Sequence, residues 1–586
     1  MIYLDANATS PILPAASAAA HAALSDNFGN PSSPHALGLR ARALLDATRA
    51  CARRVLGAPA GRLLFNSGAT EGIQTAVLSS LVALRERGER GETGGLLLYG
   101  ATEHKAVPQA LAHWNTVLGT GFELRALPVD ANGQHRLDLL REWLPQARLV
   151  CTMAANNETG VVSDLDGIER VLKDSPALWL VDCVQALGKL PLALNRSRID
   201  YAPFSGHKLY APKGIGMLYV REGAPFTPLI AGGGQEEGQR SGTENMAGIA
   251  ALGAVLQALA DGGTFQRHET LEHFRDCLVT ALVEALPGLV FNMPFAQALP
   301  TTLNFSVLGR SSSDIVELFD AAGIQVSAGS ACSSANAAPS AVLEAMGLPH
   351  WRAASAVRLS FGPAADQAFI DAACARIAHC GQALATPRMA GADALGVMRL
   401  SAGGWVLFDQ ASRTCALLDA PQAPLALMAR ENYALQAVLH SAPDADGLDE
   451  VTLGAHRIAR SADGRFACGA IRFDDAPAAD LDAAPSLEPA QLAAFFAAHP
   501  DARLVDVREA FEHAAGAASL AGRAPESMPL SRHAEAVPGW LADQGEALVF
   551  VCRSGRRSAR AAATLRHLGR DRVYHLAGGF ALATEP

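Results

Sequence analysis

The sequence predicts an α/β protein of several domains, built on parallel or mixed sheets. Three observations lead there. Short apolar strands alternate with segments of helical periodicity through the first part of the chain. Polar residues gather just past the strand ends, where open α/β sheets bind ligands. The 586 residues exceed what one hydrophobic core serves, so about three or four domains are expected.

Composition narrows the class. Hydrophobic residues make up 49% and charged residues 18%, the balance of a globular chain with ample core. A net charge of -10 argues against nucleic acid as a partner. No apolar run reaches the length of a membrane span. The opening MIYLDANATS lacks the basic-then-apolar layout of a secretory signal, so a cytoplasmic location is expected. Ten cysteines show neither CxxC pairs nor zinc spacing. That fits a reduced chain with a few functional thiols and no metal.

In order, IYLDANATSPILP reads as a short strand and an extended arm, and NFGNPSSPHALG as a polar loop. Apolar residues recur at helical spacing from Leu39 to Leu56, with Gly57 as the stop. RLLFNSGATEGIQTAVLSSLVAL reads strand, glycine turn, helix. The turn Ser67-Gly68-Ala69-Thr70 thus lies at a helix N-terminus, which suits either a phosphate or a plain cap. GGLLLYG, ARLVCTM and ALWLVD read as buried strands. They are followed by His104, by Asn157 and Glu158, and by Asp182 and Gln185.

The stretch FSGHKLYAPKGIGMLYV carries Lys208, one of only five lysines in the chain. It reads as a β-hairpin with a tight Gly/Pro-punctuated turn. An amine at the mouth of such a turn, beside Ser205, Gly206 and His207, suits a Schiff-base lysine. Next come a glycine-rich loop with Arg240 and Thr243, then helices and short strands to about residue 385. Within them, Cys332 sits in SAGSACSSANAAPS, a run of small residues expected to be mobile, which favours a reactive thiol. SAVRLSFG places Arg358 on a strand.

The strings YLDANAT, FGNPSS, SGATEG, TEHKAV, NNETGVV, VDCVQALGKLP, SGHKLYAPKGIG, GGGQEEGQRSGTEN, SAGSACSS and VRLSFG together resemble the cysteine desulfurases of the class V aminotransferase group. The resemblance covers residues 1–385. It implies the fold-type I architecture of pyridoxal 5'-phosphate (PLP) enzymes, with a large mixed-sheet domain at about 14–257. A small α/β domain at about 258–385 would join the N-terminal arm. Lys208 would hold PLP as a Schiff base and shuttle protons. Asp182 would pair with the pyridinium nitrogen, His104 would stack on the ring and act as acid or base, and Gln185 would bond the ring hydroxyl. Ala69, Thr70, Ser205 and His207 would hold the phosphate, with Thr243 reaching in from the other subunit of a homodimer. Asn157 and Arg358 would grip the carboxylate of L-cysteine. Cys332 would take the sulfur as a persulfide, leaving alanine. Cys183 and Val184, between Asp182 and Gln185, depart from the small or hydroxylated residues common there, and Cys183 reads as a packed strand residue.

Residues 386–480 have another texture. GVMRLSAGGWVLFDQASRTCALLDAP reads as a short hairpin, and ENYALQAVLHSAPDADGLDEVTLGAHRIARSADGRFACGAIRF as a helix and more strands. The region has a faint likeness to the opening of the metallo-β-lactamase fold. His440-Ser-Ala-Pro-Asp-Ala-Asp lacks the required metal ligands, so no metal is expected and a structural or docking role is.

After the linker FDDAPAADLDAAPSLEP, residues 487–586 alternate again: strand RLVDVRE, strand ALVFVCRSG, a helix from near Ser558, strand VYHLAGG. Cys552 opens the loop Arg553-Ser554-Gly555-Arg556-Arg557. Backbone N–H groups, guanidinium groups and a helix dipole are expected to point at its thiol. VDVRE, CRSGRRS and LAGG resemble the rhodanese family, implying that Cys552 carries sulfur, with Asp506 and Arg508 as structural partners of its loop. A Cys-based phosphatase would need five residues between Cys and Arg, whereas four separate Cys552 from Arg557.

Two sulfur-handling sites in one chain suggest a relay from Cys332 to Cys552 to an acceptor protein or small thiol. A selenocysteine lyase, a class V aminotransferase, and a rhodanese unit that only docks partners are the alternatives.

Overall fold

The structure is a computed structural model. It describes residues 1–88, 94–328, 339–385, 395–399, 404–409, 412–419, 433–440, 448–461, 465–468, 471–473, 484–530, 533, 536, 539–540, 545–567 and 570–583. Cys332 and most of the linker before residue 487 lie outside the described residues. The chain divides into two compact units: Ile2–Val316 with Ile324–Ala378, and His379–Pro586 with Met1 and Glu317–Gly323. No helix is long and apolar enough to cross a membrane among the described residues.

The first unit is built on a seven-stranded mixed sheet. Its strands are β2 (Arg62–Asn66), β3 (Leu96–Gly100), β4 (Glu123–Leu127), β5 (Ala147–Met153), β6 (Leu178–Asp182), β7 (Tyr201–Ser205) and β8 (Gly216–Val220). They are ordered β2-β8-β7-β6-β5-β3-β4. Only β8 runs against the rest. The central strands are buried along their whole length, as β6 with Leu-Trp-Leu-Val-Asp shows. That is the pattern of a sheet covered on both faces. The carboxyl ends of β2, β3, β5, β6 and β7 therefore share one rim.

The helix Ala36–Leu56 closes at Gly57 in the left-handed conformation, at the stop the sequence marks. Lys208 follows β7, but the predicted tight turn is a longer connection. Gly206–Lys208 form a 3-10 turn, and β8 resumes only at Gly216. The extra length lifts the lysine off the strand ladder and out over the rim.

The second, smaller sheet pairs β9 (Leu289–Phe291), β10 (Thr302–Val307), β12 (Ser327–Ala328) and β13 (Val357–Ser360). The N-terminal strand β1 (Ile2–Tyr3) pairs in parallel with β11 (Ile324–Gln325). Asp5 then bridges to Ser360, so the arm is tied to this sheet.

In the second unit, β14 (Leu395–Arg399), β15 (Trp405–Asp409) and β16 (Thr414–Leu418) form the expected antiparallel run. The helix expected next is instead a strand, β17 (Ala434–Leu439), paired in parallel with β16. Alternating Leu435, Ala437 and Leu439 carry no helical stripe, and Ala437 and Leu439 are the buried members. Strands β18 (Glu450–Leu453), β19 (His456–Arg460), β20 (Phe466–Cys468) and β21 (Ile471–Phe473) form a further antiparallel sheet.

The last sheet joins β22 (Ser486–Leu487), β23 (Arg503–Asp506), β24 (Glu526–Ser527), β25 (Leu548–Val551) and β26 (Val573–Leu576). It is all parallel, in the order β22-β26-β25-β23-β24. The helix after Cys552 starts at Arg556, two residues ahead of expectation.

Gly216 fixes the hairpin that carries Lys208 against the turn after β2. A Cβ there would lie 2.4 Å from Phe204 O and 2.6 Å from Gly68 Cα, both backbone atoms. Gly216→Ala is expected to destabilise the chain by about 1–3 kcal/mol and to weaken cofactor retention, read as a lowered urea midpoint and lost colour on dialysis.

Candidate active sites

The rim of the seven-stranded sheet gathers most of the predicted residues. β7 ends at Ser205, whose Oγ accepts from Ala69 N–H at 2.9 Å. That bond ties the lysine hairpin to the start of the helix Ala69–Gly88, whose next N–H groups, at Thr70 and Glu71, have no acceptor within the helix. Thr70 is exposed. The glycine turn, the open helix start and the exposed hydroxyl fit an anion. His207 Nδ1 lies 3.2 Å from Thr9 Oγ1. Burial, then the charges of Lys208 and Lys213, lower its pKa to about 4, so this ring is neutral. Thr243 is exposed beside Gly242 and Glu244, which line a small cavity with Asn66, Ser67 and Arg240. Arg240 is held by Glu71 at 2.9 Å.

Asp182 ends β6 and is buried, with Oδ1 accepting from Val184 N–H at 2.9 Å. Burial pushes its pKa up to about 6, against the pull of that hydrogen bond and of Lys208. A buried carboxylate kept costly to ionise fits a cationic ring nitrogen, which would supply the missing counter-charge. His104 follows β3, its Nδ1 accepting from Ala106 N–H at 3.2 Å. Partial burial, then Lys208 and Lys105, lower its pKa and keep the ring able to accept a proton. Cys183 is fully buried, the packed strand residue its sequence position suggests.

No motif in the sequence assigns a role to Asn7, yet this residue joins the set. Lys208 Nζ donates to the carbonyl oxygens of Asn7 and Ala8, each at 2.8 Å. Gln185 Nε2 donates to Asn7 O at 3.2 Å. Asn7 Nδ2 donates to Thr302 Oγ1 at 2.9 Å and to Asn157 O at 3.2 Å. Arg358 reaches the same place from β13. Its Nη1 donates to Asn157 O at 3.1 Å, and Nη2 pairs with Asp5 Oδ1 at 2.8 Å. Arg358 is 2% exposed, and its Nε has no hydrogen-bond partner among the described residues. A guanidinium with an idle buried donor fits a carboxylate ligand.

Other groups were missed for want of a titratable motif around them. Glu158 Oε2 accepts from Ser340 Oγ at 2.6 Å, and Ser340 caps the helix Ala341–Ala345. Burial raises the Glu158 pKa. Glu103 is likewise raised, by burial and then by Asp182. Glu158 stands among the polar residues that the sequence places past β5, but nothing in NNETG gives it a role.

In the second unit, Cys552 follows β25 and is fully buried. Its Sγ accepts from Ser558 N–H at 3.4 Å and lies 3.5 Å from Ser558 Oγ. The expected helix-start donor is thus present. Of the expected guanidinium groups, Arg557 is within electrostatic reach of the Cys552 thiol. Arg557 makes a bidentate pair with buried Glu512, both bonds at 2.7 Å, and that partner raises its pKa further. Arg556 and Ser554 are exposed, and Arg553 is half-buried. A carboxylate 45 residues upstream is invisible to a reading of the loop alone. Asp506 is fully buried and accepts from Arg508 Nη2 at 2.8 Å and from His513 at 2.9 Å. Burial opposes its ionisation, but these bonds win and lower its pKa. Gly579 explains the LAGG string: at φ +57, a Cβ would sit 2.0 Å from Cys552 O. Phe580 N–H closes on that oxygen at 2.9 Å. Among the described residues no cluster of three or more His, Cys, Asp or Glu could hold a metal.

The folded pKa of Asp182 lies above its unfolded value. Its stabilising contribution is therefore complete below about pH 4 and lost as pH rises through about 6. Asp182→Asn should accordingly make the cofactor-free chain more stable than wild type at pH 8, by about 2–3 kcal/mol, with the gain vanishing near pH 4. Urea unfolding at the two pH values measures it.

The aminotransferase class-V family model matches residues 2–372, and the rhodanese-like domain model matches residues 488–584. A cysteine desulfurase of Gluconacetobacter diazotrophicus is 37% identical over 372 residues, covering 63% of this chain and 90% of that protein. One from Nostoc sp. is 38% identical over 373 residues, with the same coverage of 63% and 90%. Among solved structures, a NifS-like protein aligns with TM-score 0.58 at 30% identity, covering 66% of this chain and 99% of its own. DndA from Streptomyces lividans aligns with TM-score 0.51 at 31% identity, covering 62% and 99%. The chain belongs to the class V aminotransferase family, within the PLP-dependent cysteine desulfurases, and carries a rhodanese-like domain.

Proposed function

We propose that the protein converts L-cysteine to L-alanine, receives the sulfur on Cys332, and passes it to Cys552 and then to an acceptor protein or small thiol. The observation that carries this reading is the convergence of Lys208, Gln185 and Asn157 on Asn7, with Arg358 on the same Asn157 carbonyl, at the rim where Asp182 ends β6. Bound pyridoxal phosphate supplies an electron sink that loosens bonds at the substrate's α and β carbons.

The chain's own residues do the rest. Lys208 Nζ holds and returns the proton at the substrate α-carbon. Asp182 keeps the ring nitrogen charged, and His104 offers a neutral imidazole beside Lys208. Arg358 and Asn157 orient the substrate carboxylate, with Arg358 Nε as the idle donor. The Cys332 thiolate attacks the substrate sulfur. The carbon–sulfur bond breaks, a sulfur–sulfur bond forms on Cys332, and the β-carbon takes a proton to give alanine. Thiolate exchange then carries the outer sulfur to Cys552, where Ser558 N–H meets the sulfur. Thr243 serves the phosphate of a second copy, which makes the working form a homodimer. Residues 386–480 serve as a structural or docking module, and the protein works in the cytoplasm.

Lys208→Ala is expected to leave the protein unable to hold coloured cofactor and to slow alanine formation by about 10²–10⁴-fold, seen by absorbance and an alanine assay. In single turnover with sulfur-labelled cysteine, Cys552→Ser should strand the label on Cys332 and stop delivery to an added thiol. Undiminished delivery by Cys552→Ser would instead make the rhodanese-like domain a docking module.

A further inference from the structure

Lys189 is a buried lysine that the chemistry above does not use. It is 9% exposed and lies in the turn after Gln185. Its Nζ donates to Gln185 Oε1 at 2.7 Å and to Asn7 Oδ1 at 3.1 Å. Both acceptors are neutral amide oxygens, so a buried ammonium is held here without a carboxylate in either bond. Burial and the neighbouring charges of Lys208 and Arg358 lower its pKa to about 7. Arg358 has Asp5 against it, and Lys208 donates to the Asn7 and Ala8 carbonyls within electrostatic reach of Asp182 and His104. Leaving a lysine in such a place costs stability unless its contacts are needed.

The contacts define the need. An amide side chain can present either its oxygen or its NH2 to a ligand. Lys189 occupies Gln185 Oε1, which leaves Nε2 as the free-facing donor, now resting on Asn7 O. The other bond holds the Asn7 side chain, whose own backbone carbonyl takes Lys208 Nζ. One ammonium thus sets the orientation of the amide meant for the ring hydroxyl and the seat of the reactive amine.

We propose that Lys189 is a positioning residue: it locks Gln185 and Asn7 so that Gln185 offers N–H to the cofactor ring oxygen and the Asn7 carbonyl seats Lys208 before the cofactor binds. This rests on the reading of Lys208 as the cofactor-bearing amine. A donor on the ring oxygen and a cation nearby both disfavour protonation of the lysine–cofactor linkage. Losing them raises the pH at which its absorbance changes.

The test is a spectrophotometric pH titration of the holoenzyme. Lys189→Met is expected to move the absorbance midpoint upward by about one pH unit, a tenfold change in proton affinity. That shift should shrink by at least half in a Gln185→Ala background. Lys189→Gln, shorter and neutral, should shift in the same direction with the same dependence on Gln185, and it decides the matter if the methionine variant does not fold. An unchanged midpoint with cofactor bound overturns the proposal. So does a shift of equal size in the Gln185→Ala background, which would make Lys189 a bare charge. A wild-type chromophore that survives Lys208→Ala overturns the parent reading, and this proposal with it.

Discussion

The bond from Lys208 Nζ to the Asn7 carbonyl is the constraint around which the first unit is arranged. It puts a cation on a neutral acceptor at the edge of a covered sheet. Lys189 donates to the Asn7 side chain, and Arg358 donates to the Asn157 carbonyl that the same side chain reaches. Three basic side chains, Lys189, Lys208 and Arg358, thus meet at this rim beside Asp5 and Asp182. Such a site attracts anions, and the phosphate and carboxylate groups required by the chemistry are anions.

The second unit solves the opposite problem. Its sulfur site is fully enclosed, and its charged residues are matched among themselves: Arg557 with Glu512, Arg508 and His513 with Asp506. Glu512 also takes part in the capping box of the helix Ala510–Ala515, so one carboxylate fixes both a helix start and the loop arginine. What faces the thiol is a helix-start N–H from Ser558. This arrangement suits a small, weakly charged sulfur atom better than a multiply charged phosphoryl group.

Much of this was legible in the sequence. Apolar runs marked the strands β2, β3 and β5 to β8, because a doubly covered sheet leaves little freedom in composition, whereas the polar edge strand β4 escaped. Glycine and polar punctuation marked the rim. What escaped has a common cause. Asn7, Ser340 and Glu512 act through partners far away in sequence, and an asparagine or serine in a loop carries no sign of its distant neighbour. Lys189 did leave a trace, four residues after Gln185, but spacing alone does not separate a core cation from a surface one. The strand β17 was missed because alanine and leucine favour helices locally, and the alternation that pairing with β16 exploits spans only a few residues.

The arm has an implication for how the enzyme comes into being. Asp5 and Asn7 are synthesised well before their partners: Asn7 waits for Thr302, 295 positions later, and Asp5 for Arg358, 353 positions later. Such distant closures are slow and come late. The seven-stranded sheet can assemble from its own segments, while the pocket exists only after the small sheet has been synthesised and has captured the arm. Completion of the cofactor site is thereby tied to completion of the domain.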